Sequence, residues 1–168
     1  MKILVRLGVI SSLILIFSST AQAAGKPAYE ETYNIGIFAG SVDGGATYGS
    51  AEAKGFSLSA RNKKAVLEYV NFSTDEGNLL TAGDTWESNV TGFYLALLGE
   101  GQPYIKIKVG KVKHELVQTI SGVLTPETTS VTSYGLGVGY KIGSRIMLEA
   151  EMTTLDNDMT LMALTVLF

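Results

Sequence analysis

The sequence has no cysteine, and among its 168 residues it has only three prolines, one tryptophan and one histidine. Without cysteine neither a disulfide framework nor a lipoprotein anchor is available, so the fold must hold together by other means. Long hydrophobic runs are equally scarce. The single one, "LGVISSLILIF", follows a short basic start at Met1, Lys2 and Arg6 and precedes "SSTAQAA", in which Ala21, Gln22 and Ala23 offer a small-x-small cleavage site. The run falls short of the roughly 20 residues that a spanning helix needs. It reads as a secretory signal peptide over residues 1–23, cut after Ala23 or Ala24, leaving one domain over residues 24–168. Basic residues are also few. Removing Lys2 and Arg6 from the 13 leaves 11 against 16 acids, a net charge near −5, which argues against nucleic acid as a partner.

What remains is apolar content cut into pieces of about ten residues, separated by Gly, Ser, Thr, Asn and Asp. Eight pieces carry strand signals: Tyr33–Val42, Lys54–Asn62, Ala65–Ser73, Asn89–Leu98, Pro103–Lys113, Val131–Lys141, Arg145–Thr154 and Met159–Phe168. Each has the length of a tilted strand crossing a bilayer, about 9 to 11 residues. The connections alternate between long and short. "DGGATYGSAEA", "TDEGNLLTAGDTWES" and "HELVQTISGVLTPETTS" are long, whereas "KK", "GEGQP" and "IGS" are short; only "LDND" breaks the rhythm. Such alternation predicts an all-β, eight-stranded antiparallel up-and-down transmembrane barrel with short periplasmic turns and longer extracellular loops.

Period-two alternation then assigns faces. Ile105, Ile107 and Val109 face lipid and turn Lys106 and Lys108 inward; Ile146, Leu148, Ala150 and Met152 do the same for Glu149 and Glu151. Phe56, Leu58 and Ala60 leave Ser57, Ser59 and Arg61 inside. The Ala65–Ser73 piece is ambiguous by pattern. A carboxylate in hydrocarbon costs on the order of 2–3 kcal/mol, however, which turns Glu68 inward. Arg61, Glu68, Lys106, Lys108, Glu149 and Glu151 therefore form a predicted lumenal charge network, with Ser133, Gly135, Gly137 and Gly139 leaving room for the long side chains. Eight strands enclose a lumen that side chains can fill, so a wide pore is excluded on geometry, and the charges read as ion pairs before they read as a gated path.

The leader, the eight pieces, the Gly/Tyr-rich hairpin "TSYGLGVGYKIGSRIMLEAEMTTLD" and the closing alternating strand together resemble the small outer-membrane β-barrels of the OmpA-barrel and OmpX type, over nearly all of the mature chain. The resemblance implies a bacterial outer-membrane location and a terminal strand, Met162, Leu164, Val166 and Phe168, similar to the signal read by the barrel assembly machinery. It also implies work done by the extracellular loops in adhesion, host or surface contact, or envelope protection. Lys111 and Lys113 share the parity of Ile105, Ile107 and Val109, unless a bulge at Gly110 reverses them, and are expected to contact phosphates of lipopolysaccharide at the outer membrane edge.

Other classes carry less. Some barrels of this size modify lipid A with a His, a Ser and an acid. Here the one histidine, His114, precedes Glu115 without a His-x-Ser arrangement and is expected as a solvated rim residue. No cofactor motif is present. Asp43, Asp156 and Asp158 lie in turns that favour Asp for backbone reasons, and metal-ligand spacing is missing. A soluble calycin-like barrel would bury its apolar residues inside, where this sequence places charges.

Overall fold

A computed structural model describes residues 32–79, 83–143, 145–156 and 158–168; the leader and its cleavage site lie outside them. The elements are β1 (Thr32–Asp43), β2 (Ala51–Arg61), β3 (Ala65–Thr74), β4 (Gly77–Asn78), β5 (Thr85–Leu98), β6 (Tyr104–Ile120), β7 (Val123–Ile142), β8 (Ile146–Thr154) and β9 (Thr160–Leu167). All pairings are antiparallel. The order is β3-β2-β1-β9-β8-β7-β6-β5, and β3 pairs with β5, so eight strands close a ring, while β4 is a two-residue ladder on the outer end of β5.

Alternation decides which side chains meet the surroundings. Ile35, Ile37, Leu95, Leu97, Ile105, Ile107, Leu136, Val138, Met162 and Leu164 are all exposed on the outer wall. They form an apolar belt round the whole barrel, far beyond the few hundred Å² that a soluble monomer exposes in one patch. Phe56, Tyr69 and Phe93 form a row of rings across β2, β3 and β5, with centroids 6.1 and 5.0 Å apart. At the short-turn end Tyr33, Tyr140 and Phe168 are exposed beside the belt. Aromatics at both edges of a belt are the usual interfacial girdles of membrane barrels.

The turns follow from local chemistry. Between β2 and β3 the Asn62 side chain accepts hydrogen bonds from the main-chain N–H of Lys64 and Ala65, at 2.9 and 2.8 Å. Asp156 Oδ1 accepts from the N–H of Asp158 and Met159, at 3.0 and 2.9 Å, and tightens the β8–β9 connection.

One expectation is corrected. "HELVQTISGVLTPETTS" is not a loop: β6 and β7 continue as a ladder to Ile120 and Val123, joined by Ser121 and Gly122 with φ of 51° and 79°. Positive φ at both central residues is the type I′ geometry that suits strand twist. The alternation used as a strand signal fades beyond Leu116, where both faces of the hairpin meet solvent. The interior also holds an apolar layer beside the expected charges. Phe38, Val42, Trp86, Val90, Val112, Leu116, Leu155 and Met159 pack into a buried apolar cluster at the long-loop end.

Candidate functional site

The barrel interior has two layers. In the outer one, the apolar plug is sealed by the β1–β2 connection, which folds over the mouth. Tyr48 stacks edge-on against Trp86, with centroids 5.7 Å apart, and its hydroxyl accepts from Gln118 Nε2 at 3.2 Å. Gly49 N–H donates to the carbonyl of Asn78 at 2.8 Å.

His114 belongs to this layer, which corrects the expectation of a solvated rim residue. It is 2% exposed, with Nδ1 3.4 Å from Asp156 Oδ2. The reason is parity: His114 continues the inward set of Lys106, Lys108 and Val112, and the tall ladder keeps that set enclosed beyond the belt.

The inner layer holds the six charged residues expected in the lumen. Lys106 Nζ lies 2.8 Å from Glu149 Oε2 and 3.1 Å from Glu68 Oε1, and also pairs with Glu151 Oε1. Lys108 Nζ pairs with Glu151 and reaches Glu68 Oε2 at 3.4 Å. Arg61 Nη2 pairs with Glu149, and Arg61 Nη1 donates to the Tyr104 hydroxyl at 2.9 Å, which in turn donates to Glu149. Lys108 also sits 4.4 Å above the ring of Tyr94. Three cations meet three carboxylates, so the layer is neutral as a whole.

The sheet register explains how these groups meet. On one cross-strand line Lys106 is opposite Gly137, which is opposite Glu151; on the next, Tyr104 is opposite Gly139, which is opposite Glu149. A strand of inward glycines thus separates the cations from the acids and lets their side chains close over it. A Cβ on Gly137 would lie 2.8 Å from Glu151 Cγ, and one on Gly139 only 2.1 Å from Tyr104 Cζ.

This layer does not offer an open metal site. Glu68, Glu149 and Glu151 do bring carboxylate oxygens within 4.8 Å of one another, but the ammonium of Lys106 pairs with all three. Beside them, a cavity of about 20 Å³ is lined on its polar side by Ser57, Glu68, Lys108, Glu151, Thr153 and Thr165. That is room for about one water, not for a permeating file of ions. Sequence reasoning missed Tyr104, although it has the parity of Lys106 and Lys108, and Asp156 as the partner of His114.

On the outer wall, β6 passes Gly110 without a bulge, since Val109, Gly110 and Lys111 pair in unbroken register with Leu95, Tyr94 and Phe93. Lys111 and Lys113 are exposed on the outward face, and Lys113 Nζ pairs with Glu115 Oε1. In the closing strand Met162, Leu164 and Phe168 are exposed and Val166 is half-buried, all on the outward face.

No protein family matches this chain, and no curated protein matches it in sequence. Solved structures do match in fold. The N-terminal β-barrel domain of Pseudomonas aeruginosa OprF aligns at TM-score 0.61 and 14% identity, covering 83% of this chain and 98% of that one. Neisserial surface protein A (NspA) aligns at 0.59 and 12%, covering 82% and 97%. Ail, the attachment invasion locus protein of Yersinia pestis, aligns at 0.54 and 12%, covering 82% and 94%; it has also been solved in complex with the heparin analogue sucrose octasulfate. The architecture of this chain is that of the small eight-stranded outer-membrane β-barrels.

Proposed function

We propose that the mature chain is an integral protein of the bacterial outer membrane, exported by a cleaved leader and non-enzymatic, that acts through its extracellular part in surface contact, adhesion or envelope integrity. The observation that carries this reading is the contrast between a sealed interior and a tall outer hairpin. The lumen is filled by a neutral ion-pair layer under an apolar plug, whereas β6 and β7 rise well above the belt. Nothing in that interior favours transport, so the activity is assigned to the exposed end. Ail, which shares the fold, is the attachment invasion locus protein of Yersinia pestis, a name that supports the same direction.

Lipopolysaccharide is the proposed lipid partner, with Lys111 and Lys113 at the top of the belt offering charge-assisted hydrogen bonds to its phosphates. The barrel assembly machinery is the proposed reader of Met162, Leu164, Val166 and Phe168. Catalysis on lipid A is disfavoured because His114 is enclosed in the apolar plug, away from the outer wall where acyl chains would lie. The reading is tested by fractionation: the mature protein is expected in the outer membrane with heat-modifiable mobility, and recovery from the soluble periplasm overturns it. Lys111→Gln with Lys113→Gln should lower co-purifying lipopolysaccharide in a folded barrel. Unchanged lipid content removes that contact. His114→Ala should leave the lipid A profile unchanged by mass spectrometry.

A further inference from the structure

Cross-strand lines on the outer wall climb. From Ile37 on β1, one line passes from partner to partner through Phe56, Asn71, Thr91 and Lys113 and reaches Ser130 on β7. Followed the other way, it passes through Val166 and Leu148 and reaches Tyr140, also on β7. The two ends stand ten positions apart on one strand, 130 against 140, so the line rises toward the outer end as it goes from β2 to β7. At a tilt of about 40° and a strand spacing of about 4.8 Å, each strand crossed gains about 3 Å of height.

Two neighbouring lines share one change of character. The lower passes Leu58, Tyr69, Phe93, Lys111 and Thr132; the upper passes Phe56, Asn71, Thr91, Lys113 and Ser130. All ten side chains lie on the outward face. Both lines begin apolar on β2 and end in a lysine and a hydroxyl on β6 and β7. The climb between those ends is about 12 Å, most of the depth of one leaflet of a hydrocarbon core about 30 Å thick. The rings of Phe56, Tyr69 and Phe93 join into one stripe across the apolar part. Asn71 Nδ2 donates to Thr91 Oγ1 at 3.0 Å, which carries polar groups about 6 Å below Lys113. Elsewhere the wall lacks this gradient. A line of the same slope through Leu97, Ile107, Leu136, Met152 and Met162 is apolar throughout and ends at Ser41 without a cation.

We infer that the two lines together seat one lipopolysaccharide molecule. Its phosphate lies on Lys111 and Lys113, its acylated sugar on Asn71 and Thr91, and one acyl chain along Phe93 and Tyr69 toward the middle of the membrane. The inference rests on the lipopolysaccharide contact proposed above and extends it from two lysines to a site for a whole amphiphile.

The ligand class follows from what the lines hold side by side. Lys111 is exposed, and no carboxylate pairs with it among the described residues, whereas Lys113 shares its charge with Glu115. Phe93 is the direct cross-strand partner of Lys111. A soluble anion would use the lysines and leave the stripe idle; a neutral lipid would use the stripe and leave the lysines idle. A phosphorylated lipid engages both. The sugar hydroxyl and amide groups of lipid A donate and accept hydrogen bonds, as Asn71 and Thr91 do, while the ester groups of a phospholipid only accept.

The test uses the mature barrel in phosphatidylcholine vesicles containing purified lipopolysaccharide. Folding is checked by heat-modifiable mobility, and the lipopolysaccharide retained per barrel is measured after detergent extraction. Lys111→Gln with Lys113→Gln should lower retention several-fold. Tyr69→Leu with Phe93→Leu keeps the wall apolar and both lysines in place, and should lower it several-fold as well. Phe93→Leu alone, the milder change if the double variant does not fold, should lose part of it. Tyr140→Leu, which removes a ring near the other membrane edge, should lose nothing. Phosphatidylglycerol added at equal concentration should not displace the bound molecule. Loss in the lysine variant alone, or in the ring variant alone, overturns the joint site. An equal loss in Tyr140→Leu, or displacement by phosphatidylglycerol, overturns it too. Loss in neither double variant overturns the lysine contact itself.

Discussion

Phe168 and Ile35 exchange two main-chain hydrogen bonds. Phe168 N–H donates to the Ile35 carbonyl at 2.9 Å, and Ile35 N–H donates to the Phe168 carbonyl at 3.2 Å, extending the β1–β9 ladder by one rung. The ring of Phe168 lies outside, at the edge of the belt. Main-chain and side-chain roles can therefore be separated. Phe168→Ala keeps both hydrogen bonds, whereas deleting the residue removes them, at about 0.5–1.5 kcal/mol each. We expect the deletion to lower the heat-modifiable folded fraction more than Phe168→Ala does, and equal losses would assign the whole effect to the ring.

Glu149 receives Arg61, Tyr104 and Lys106 together, so Glu149→Gln leaves buried cations short of an anion. Breaking a buried pair from one side costs about 3–5 kcal/mol. The temperature of heat modification should fall markedly. Lys54→Gln, which removes an exposed pair with Asp75, should leave it unchanged.

Gly139→Ala drives a methyl group into the Tyr104 ring and should destabilise by about 1–3 kcal/mol, the usual cost of overpacking. Tyr104→Ala removes the obstacle along with the hydroxyl that serves Glu149. The double mutant should then lose less than the two single losses added together, and strict additivity would show that the glycine is not there for Tyr104.

In planar bilayers the wild-type protein should give no sustained channel steps. Trp86→Ala alone should not open it either, because the ion-pair layer still fills the lumen below the plug. A stable conductance from the wild type would refute the sealed interior.

Much of this was legible from alternation alone. Wherever one face of a strand meets the belt and the other the lumen, the pattern is strict, and Arg61, Glu68, Lys106, Lys108, Glu149 and Glu151 all carry the inward parity that the structure gives them. Legibility failed where that contrast disappears. The upper ladder of β6 and β7 has solvent on both faces, so Gln118, Thr125 and Thr128 read as loop, and the turn signal at Ser121–Gly122 was the cue left unused. His114 was misplaced for a different reason: a strand expected to stop at Lys113 gives the residue that follows no enclosed face. The plug is harder to read because it gathers side chains from many strands and adds Leu155, a turn residue whose inward direction no strand period predicts.

Arg61 stands on β2 and Glu149 on β8, and between them in the ring lie only β1 and β9, the strands that bring the two ends of the barrel together. Their ion pair thus crosses the seam from inside like a clasp. To unzip the barrel there, the ladder from Ile35 to Asp43 and a buried charge pair must come apart in the same event, with the freed charges facing a surrounding that cannot solvate them. Gradual fraying from the chain end is blocked by that requirement. The closed barrel should persist by the height of this barrier to opening, a kinetic property, more than by the depth of its free-energy minimum.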